Sequence, residues 1–132
     1  HESFNERVAL GNVDLILIGD SITHGWEGQG KEIWEQYYTK RNAVNLGIGG
    51  DRTQHVMWRL DNGNVKGISP KVAVVMIGTN NSGNNSPEEI ADGLAAITKQ
   101  LRKKLPKTKV LLLGIFPRGA KKYDREIQKT NV

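Results

Sequence analysis

Cysteine is absent from this chain of 132 residues, and its absence excludes several kinds of chemistry. Without a thiol the chain forms no disulfide bond, no thiolate nucleophile and no cysteine-ligated zinc site. Long apolar runs are absent too, because none approaches the roughly 18 residues of a membrane-spanning helix. Neither absence assigns the protein to a compartment, since exported proteins also include cysteine-free chains.

Acidic residues are the minority charge, with 14 Asp and Glu against 19 Lys and Arg, which leaves a net charge of +5. The basic excess falls into two clusters: Lys99, Arg102, Lys103, Lys104, Lys107 and Lys109, then Arg118, Lys121, Lys122 and Arg125. The first cluster contains no aromatic residue that could stack on a base. We interpret the clusters as a solvated helix face and a basic loop, and we expect no nucleic-acid partner.

Four short apolar runs predict the strands of the fold. They cover residues 13–18, 43–48, 72–77 and 110–115, and none alternates cleanly with polar residues. Continuous apolar runs of this length are typical of parallel strands covered on both faces. Because helical patterns lie between the runs, the sequence predicts one α/β domain over residues 1–132. Its sheet is open and mostly parallel, with four strands and helices on both faces.

The clearest helical pattern begins at Ser86. Ser86 and Glu89 have the spacing of a capping box, and Pro87 suits the first helical turn. One apolar stripe follows, and Pro106 ends it; the stripe is Ile90, Leu94, Ile97, Leu101 and Leu105. Weaker patterns predict helices over residues 2–7, 33–38, 56–60 and 123–132.

The three tryptophans receive separate predictions. Trp34 and Trp58 fall on helical stripes, so we predict that both are core residues. Trp26 follows the first strand closely, so we expect it near the mouth of any site at that edge of the sheet.

Glycine and small polar residues follow the first three runs, as Gly19-Asp20-Ser21, residues 49–53 and residues 78–81. The carboxyl ends of parallel strands share one edge, where ligands of such sheets bind. Taken alone, Gly-Asp-Ser is the pattern of a helix cap. Taken with the other two loops, it favours a nucleophile, because the Gly50 N–H and the Asn80 amide can both face a developing oxyanion.

These loops resemble a known family. The stretches GDSITHGW, NLGIGGDRT and GTNN resemble the first three sequence blocks of the SGNH (GDSL-type) serine hydrolases. GIGGDRTQHVMWRLDNG, SPKVAVVMIGTNN and LLLGIFPRG are also similar to the catalytic subunits of platelet-activating-factor acetylhydrolases. The resemblance implies a flavodoxin-like three-layer sandwich and hydrolysis of small, commonly acetyl, esters of carbohydrate or lipid. It implies Ser21 as nucleophile, the Ser21 N–H, Gly50 N–H and Asn80 side chain as oxyanion donors, and no metal or cofactor.

The family's fourth block, Asp-x-x-His, does not occur in these 132 residues. That block supplies the general base and the acid that orients it. Three explanations compete: the chain is a fragment that also lacks the last family strand, His24 or His55 acts as the base, or the domain no longer catalyses. We expect the first, with little esterase turnover from these residues alone. The alternative is a non-catalytic module that binds an acylated glycan or a protein partner.

Further expectations concern the residues around these loops. Asp20 is expected to brace its turn through backbone hydrogen bonds, and Arg52 to pair with Asp20 or Asp51. Asn81 is expected to act in the turn rather than on substrate. The Gly-rich loop before Asp51 matches neither nucleotide-binding fingerprint. The fourth strand would be an exposed apolar edge, so we expect another chain, as in a homo-oligomer, or further residues to cover it.

Overall fold

The computed structural model describes residues 1–119 and 127–131. Its sheet has four parallel strands: β1 (Leu15–Gly19), β2 (Ala43–Gly47), β3 (Val72–Met76) and β4 (Lys109–Leu112). Their order across the sheet is β2-β1-β3-β4. The predicted α/β class and parallel sheet are therefore confirmed. Each strand overlaps one of the four predicted apolar runs, and the ends of strand and run differ by a few residues at most.

One face of the sheet carries the main core. In the register of the sheet Ile16 lies beside Val44 and Ala73, and Ile18 beside Leu46 and Val75. Side chains alternate between the faces of a strand, so this whole set points to the same side. All of these residues are less than 5% exposed and belong to one apolar cluster with residues of the helices on that face.

Among the described helices, α1 (Glu2–Ala9), α4 (Thr53–Asp61) and α5 (Pro87–Lys104) contribute to the core on that face. The capping box predicted for α5 is present, since Ser86 Oγ accepts from Glu89 N–H and the Glu89 carboxylate accepts from Ser86 N–H. The whole predicted stripe is at most 7% exposed: Ile90, Leu94, Ile97, Leu101 and Leu105. Burial of these five side chains is the main packing contribution of α5.

The opposite face holds two short helices, α2 (Ser21–His24) and α3 (Lys31–Tyr37), with 3-10 turns at Gly25–Glu27 and Thr39–Arg41. Glycine at the ends of β1 and β2 lets α2 approach the sheet. A β-carbon at Gly19 would collide with the Thr23 side chain, and one at Gly47 with the backbone of Thr23 and His24. The buried Asn45 side chain completes the attachment, because its Nδ2 donates to Thr23 O at 3.0 Å.

The tryptophan predictions fail for two residues. Trp58 is 57% exposed, because the buried stripe of α4 runs through Val56, Arg59 and Leu60 instead. Trp34 is half-buried and stacks on Tyr38 with ring centres 5.2 Å apart, outside the main core. Trp26 lines an apolar pocket of about 360 Å³ next to Ile22.

Among the described residues no strand pairs with the outer edge of β4, and Leu111 is 51% and Leu112 43% exposed. Its covering by another chain or by further residues stays a prediction. Residues 127–130 are helical, and Asn131 bonds both backbone groups of Ile115. The rest of the predicted last helix, and Lys121, Lys122 and Arg125, lie outside the described residues. Within the part of the chain described, no helix is long and apolar enough to span a membrane.

Candidate active site

The candidate site lies where the direction of chain progression across the sheet reverses. From β1 the chain moves first to β2 on one side and then to β3 on the other, so the loops after these strands diverge and leave a crevice between them. Ser21, Gly50 and Asn80 each follow one of these three strands. The topology therefore brings the three predicted site residues to the same edge of the sheet.

Ser21 is the first residue of α2 and is exposed to solvent. At this helical position the backbone N–H has no partner inside the helix. Across the crevice, a β-carbon placed on Gly49 would lie 4.0 Å from Ser21 Cβ and 3.9 Å from His24 Nδ1. The glycine loop after β2 therefore lies directly against the serine.

Asp20 caps α2 and is 1% exposed. Its carboxylate accepts from Ile22 N–H at 3.0 Å, which confirms that it braces the turn. Burial raises the pKa of the Asp20 carboxyl above its ordinary value of 3.8, backbone hydrogen bonds from Ile22 and from Asp20 itself lower that pKa, and the nearby Asp51 charge raises it further. The Asp20 side chain, directly before Ser21, is thus occupied by a hydrogen bond from the backbone.

Gly50 occupies a tight turn in the loop after β2. The turn is closed by the Asp51 N–H, which donates to Ile48 O at 3.2 Å, and Gly50 has a φ of +81°. That left-handed conformation favours glycine. Among the described residues the Gly50 N–H has no hydrogen-bond acceptor, so it is available to a ligand in the crevice.

Asn80 is held against the same loop. Its Nδ2 donates to Asp51 O at 2.9 Å, which leaves the second hydrogen of that amide without an acceptor in the described parts of the chain. An amide fixed by one hydrogen bond and free in the other is suited to hold an oxyanion. Gly50 and Asn80 are therefore joined through a single intervening residue, Asp51.

Asn81 has a different task. It is 2% exposed, and its Oδ1 accepts from Thr53 N–H at 3.0 Å, so it satisfies a free donor at the start of α4. Its N–H donates to Gly78 O, which closes the turn after β3. The expectation that Asn81 acts in the turn is confirmed.

The ion pair expected for Arg52 is formed by Arg59 instead. Arg59 Nε donates to Asp51 Oδ2 at 2.9 Å and Nη2 lies 2.7 Å from the same oxygen. Among residues 1–119 and 127–131, Arg52 forms no ion pair with Asp20 or Asp51. Arg59 can reach the Asp51 carboxylate because it lies on the buried stripe of α4, where it is 4% exposed, directly under the loop. The sequence signal for a buried arginine is its position between the apolar residues Val56 and Leu60.

Neither candidate histidine base bonds to Ser21. His24 is one turn from Ser21, but its Nε2 lies 3.7 Å from the Glu27 carboxylate and both side chains are 53% exposed. His55 Nδ1 accepts from the Arg52 N–H at 3.0 Å, as expected of a histidine at a helix start. Within the described residues, no hydrogen bond joins Ser21 to His1, His24 or His55.

The described residues contain no group of three or more His, Asp or Glu side chains that could hold a metal ion. The chemistry they can supply is a hydroxyl, two N–H donors of the backbone and one amide donor, converging from three loops. Such donors stabilise the negative charge that develops on a carbonyl oxygen during acyl transfer.

This arrangement is that of a doubly wound α/β protein with a serine and amide donors at its switch point. The chain matches the GDSL-like Lipase/Acylhydrolase family over residues 17–131, and it belongs to that family. The resemblance noted from the sequence blocks is therefore confirmed.

Curated relatives support the same family. The human platelet-activating factor acetylhydrolase IB subunit alpha2 is 44% identical over 108 residues, which are 82% of this chain and 46% of that protein. The bovine subunit alpha1 is 42% identical over 106 residues, or 80% of this chain and 44% of that protein. The chain thus spans about half the length of the curated relatives it matches.

Solved structures share the fold. A GDSL-like lipase from Bacteroides thetaiotaomicron, 21% identical, superimposes with a TM-score of 0.73 over 98% of this chain and 68% of its own. An SGNH-hydrolase family esterase, 28% identical, gives a TM-score of 0.60 over 89% of this chain and 68% of its own. The flavodoxin-like sandwich expected from the sequence is confirmed.

Proposed function

We propose that the protein containing these residues is a serine esterase that removes short acyl groups of the acetyl type. One observation carries the proposal: Ser21 lies against the Gly49–Gly50 loop, and the Asn80 amide is bonded to the residue that follows that loop. The names of the curated relatives, which are acetylhydrolase subunits, support the acetyl part of the proposal.

In the proposed reaction the Ser21 hydroxyl oxygen attacks the ester carbonyl carbon. The negative charge that develops on the carbonyl oxygen is held by the N–H groups of Ser21 and Gly50 and by Asn80 Nδ2. Collapse of the intermediate expels the alcohol and leaves an acyl group on Ser21, and water then releases the acid. Attack forms the C–O bond to Ser21, and collapse breaks the C–O bond to the alcohol, which leaves with the proton taken from Ser21. Water then adds to the acyl group, the C–O bond to Ser21 breaks, and a proton from that water returns to the serine oxygen.

The proton of Ser21 needs an acceptor, since a serine hydroxyl without a base is a weak nucleophile. None of the three histidines present bonds to Ser21, and His24 and His55 are each committed to another partner. We therefore propose that the base comes from residues outside these 132. The 46% share of the human relative's length leaves room for such residues.

The test is turnover of p-nitrophenyl acetate by the natural full-length protein. Ser21→Ala is expected to lower kcat by about 10⁴-fold or more, because it removes the nucleophile. Ser3→Ala, an exposed serine on α1, is the matched control and should leave kcat unchanged. Equal turnover in the Ser21→Ala variant and the unsubstituted protein would contradict the proposal. The rate should also fall from acetate to longer acyl esters.

A further inference from the structure

Asp51 connects both proposed oxyanion donors. Its N–H closes the turn that fixes Gly50, through the 3.2 Å hydrogen bond to Ile48 O. Its carbonyl oxygen accepts the 2.9 Å hydrogen bond from Asn80 Nδ2. A movement of the Asp51 backbone would therefore displace both donors together.

The Asp51 side chain is anchored below the loop. The carboxylate is buried and accepts from Arg59 Nε at 2.9 Å, with Nη2 2.7 Å from the same oxygen. The Nε hydrogen bond fixes the direction of this contact, whereas the Nη2 approach is a charge contact without hydrogen-bond geometry. The loop residues Gly49 and Gly50 are exposed, so this anchor joins a solvent-facing loop to the packed side of α4.

Arg59 is itself fixed by a second buried group. Its Nη1 donates to Asn64 Oδ1 at 2.6 Å, and Asn64 is 0% exposed. Asn64 Nδ2 donates to Asn5 Oδ1 at 2.9 Å, which extends the network to α1. The position of Asp51 is thus set by two helices of the main core.

A buried ion pair is by itself weak evidence for a gain in stability. Burial removes water from both charges, and replacing a buried ion pair by apolar residues is often neutral or stabilising. Burial also lowers the pKa of the Arg59 guanidinium, while the Asp51 charge raises it, so the two effects oppose each other. What the pair does supply is one geometry for the loop above it.

We propose that Asp51, held by Arg59, is a positioning residue that fixes the oxyanion hole formed by Gly50 and Asn80. The inference rests on the proposed esterase function. Asp51 acts through its neighbours and does not touch the substrate. Its loss should therefore weaken transition-state stabilisation and leave ground-state binding of the ester nearly intact.

The test is the steady-state kinetics of Asp51→Asn in the natural full-length protein with p-nitrophenyl acetate. The expected result is a fall in kcat of about 10- to 100-fold, the range for misplacing oxyanion donors, with KM within about twofold. The matched control is Asp61→Asn, which removes the same charge from the exposed Asp61–Lys104 pair at the far end of α4. The control should leave both kcat and KM unchanged.

A second variant, Arg59→Lys, retains the charge but cannot reach both Asp51 and Asn64, so a smaller fall in kcat at constant KM is expected. If Asp51→Asn does not fold, the kcat of Arg59→Lys tests the positioning role of Asp51 instead. Ser21-dependent turnover with kcat within about twofold of the unsubstituted protein in either folded variant would overturn this inference alone. Absence of Ser21-dependent turnover in the unsubstituted protein would overturn the proposed function, and this inference with it.

Discussion

The two sides of the crevice differ in how firmly their groups are held. On the oxyanion side, Gly50 and Asn80 are tied to Asp51, which a buried arginine anchors. On the nucleophile side, Ser21 is exposed and the nearby His24–Glu27 pair is half exposed at 3.7 Å. Gly50 and Asn80 are therefore held in place by contacts within the described residues, whereas none of the three histidines forms a hydrogen bond with Ser21.

Among substitutions on the two sides of the crevice other than Ser21→Ala, the largest fall in kcat should come from Asn80→Ala, which removes one proposed oxyanion donor. We expect kcat to fall by about 100-fold or more with little change in KM, because the donor acts on charge present only in the transition state. Asn84→Ala, an exposed asparagine in the same loop, is the control for steady-state kinetics. A raised KM with unchanged kcat would show instead that Asn80 binds the ground state.

A smaller effect is expected from Gly50→Ala. Gly50 and Gly67 have φ values of +81° and +79°, and a β-carbon would meet nothing within 4 Å at either. Each alanine should therefore cost about 1 to 2 kcal/mol of unfolding free energy from backbone strain. Only Gly50→Ala should also lower kcat, by about tenfold or more, because its N–H is a proposed oxyanion donor.

Denaturant titration and steady-state kinetics on the two glycine variants separate these effects. Similar stabilities of the two variants, with a lower kcat only for Gly50→Ala, would show that the loss of turnover comes from the position of the Gly50 N–H and not from backbone strain. Equal kcat values in both variants would remove Gly50 from the proposed hole.

Asp20→Asn should change stability rather than turnover. The folded-state pKa of Asp20 is raised by burial, so its contribution to stability is present below the unfolded pKa and is lost as pH rises through the folded pKa. The amide keeps the acceptor for Ile22 N–H and carries no charge. We expect a higher Tm than the unsubstituted protein near neutral pH, and no difference at about pH 3.

Thermal melts of both proteins across that range check the sign. A Tm of Asp20→Asn that is lower near neutral pH would show that the Asp20 charge stabilises the fold, contrary to its burial.

The smallest effect is expected from His24→Ala. His24 is half exposed and paired with Glu27, so its loss should change kcat of the full-length protein by less than about threefold. A general base contributes about 10²- to 10⁴-fold to the rate. A fall in kcat of that size would therefore identify His24 as the base, and the base would then come from the described residues. Glu27→Gln is the matched control, because it removes the partner and keeps the histidine.

Much of the fold could be predicted because strands and helices have local signals. β1 and β3 coincide with continuous apolar runs, β2 with a run that Asn45 interrupts, and the stripe of α5 is complete from Ile90 to Leu105. The meeting of Ser21, Gly50 and Asn80 followed from one rule, that carboxyl ends of parallel strands share an edge.

Other features needed tertiary geometry. The Asp51–Arg59 pair joins a loop to a helix, so no helical spacing links the two residues. The prediction for Trp58 was wrong because α4 is short and has several apolar residues, so packing decides which face is buried. Val56 and Leu60 face the core, whereas Trp58 is exposed. The family's Asp-x-x-His block is absent from these 132 residues, so their sequence predicts no Asp–His pair for Ser21.

Covalent labelling of Ser21 by a fluorophosphonate is the most direct test of the central claim, that this crevice stabilises an oxyanion formed by attack of Ser21. The natural full-length protein is treated with the probe, and the added mass is located by peptide mapping. We predict one label on Ser21, none in Ser21→Ala, and slower labelling in Asn80→Ala and Asp51→Asn. An unlabelled Ser21 in the folded full-length protein would contradict the account and would favour a binding module without catalysis.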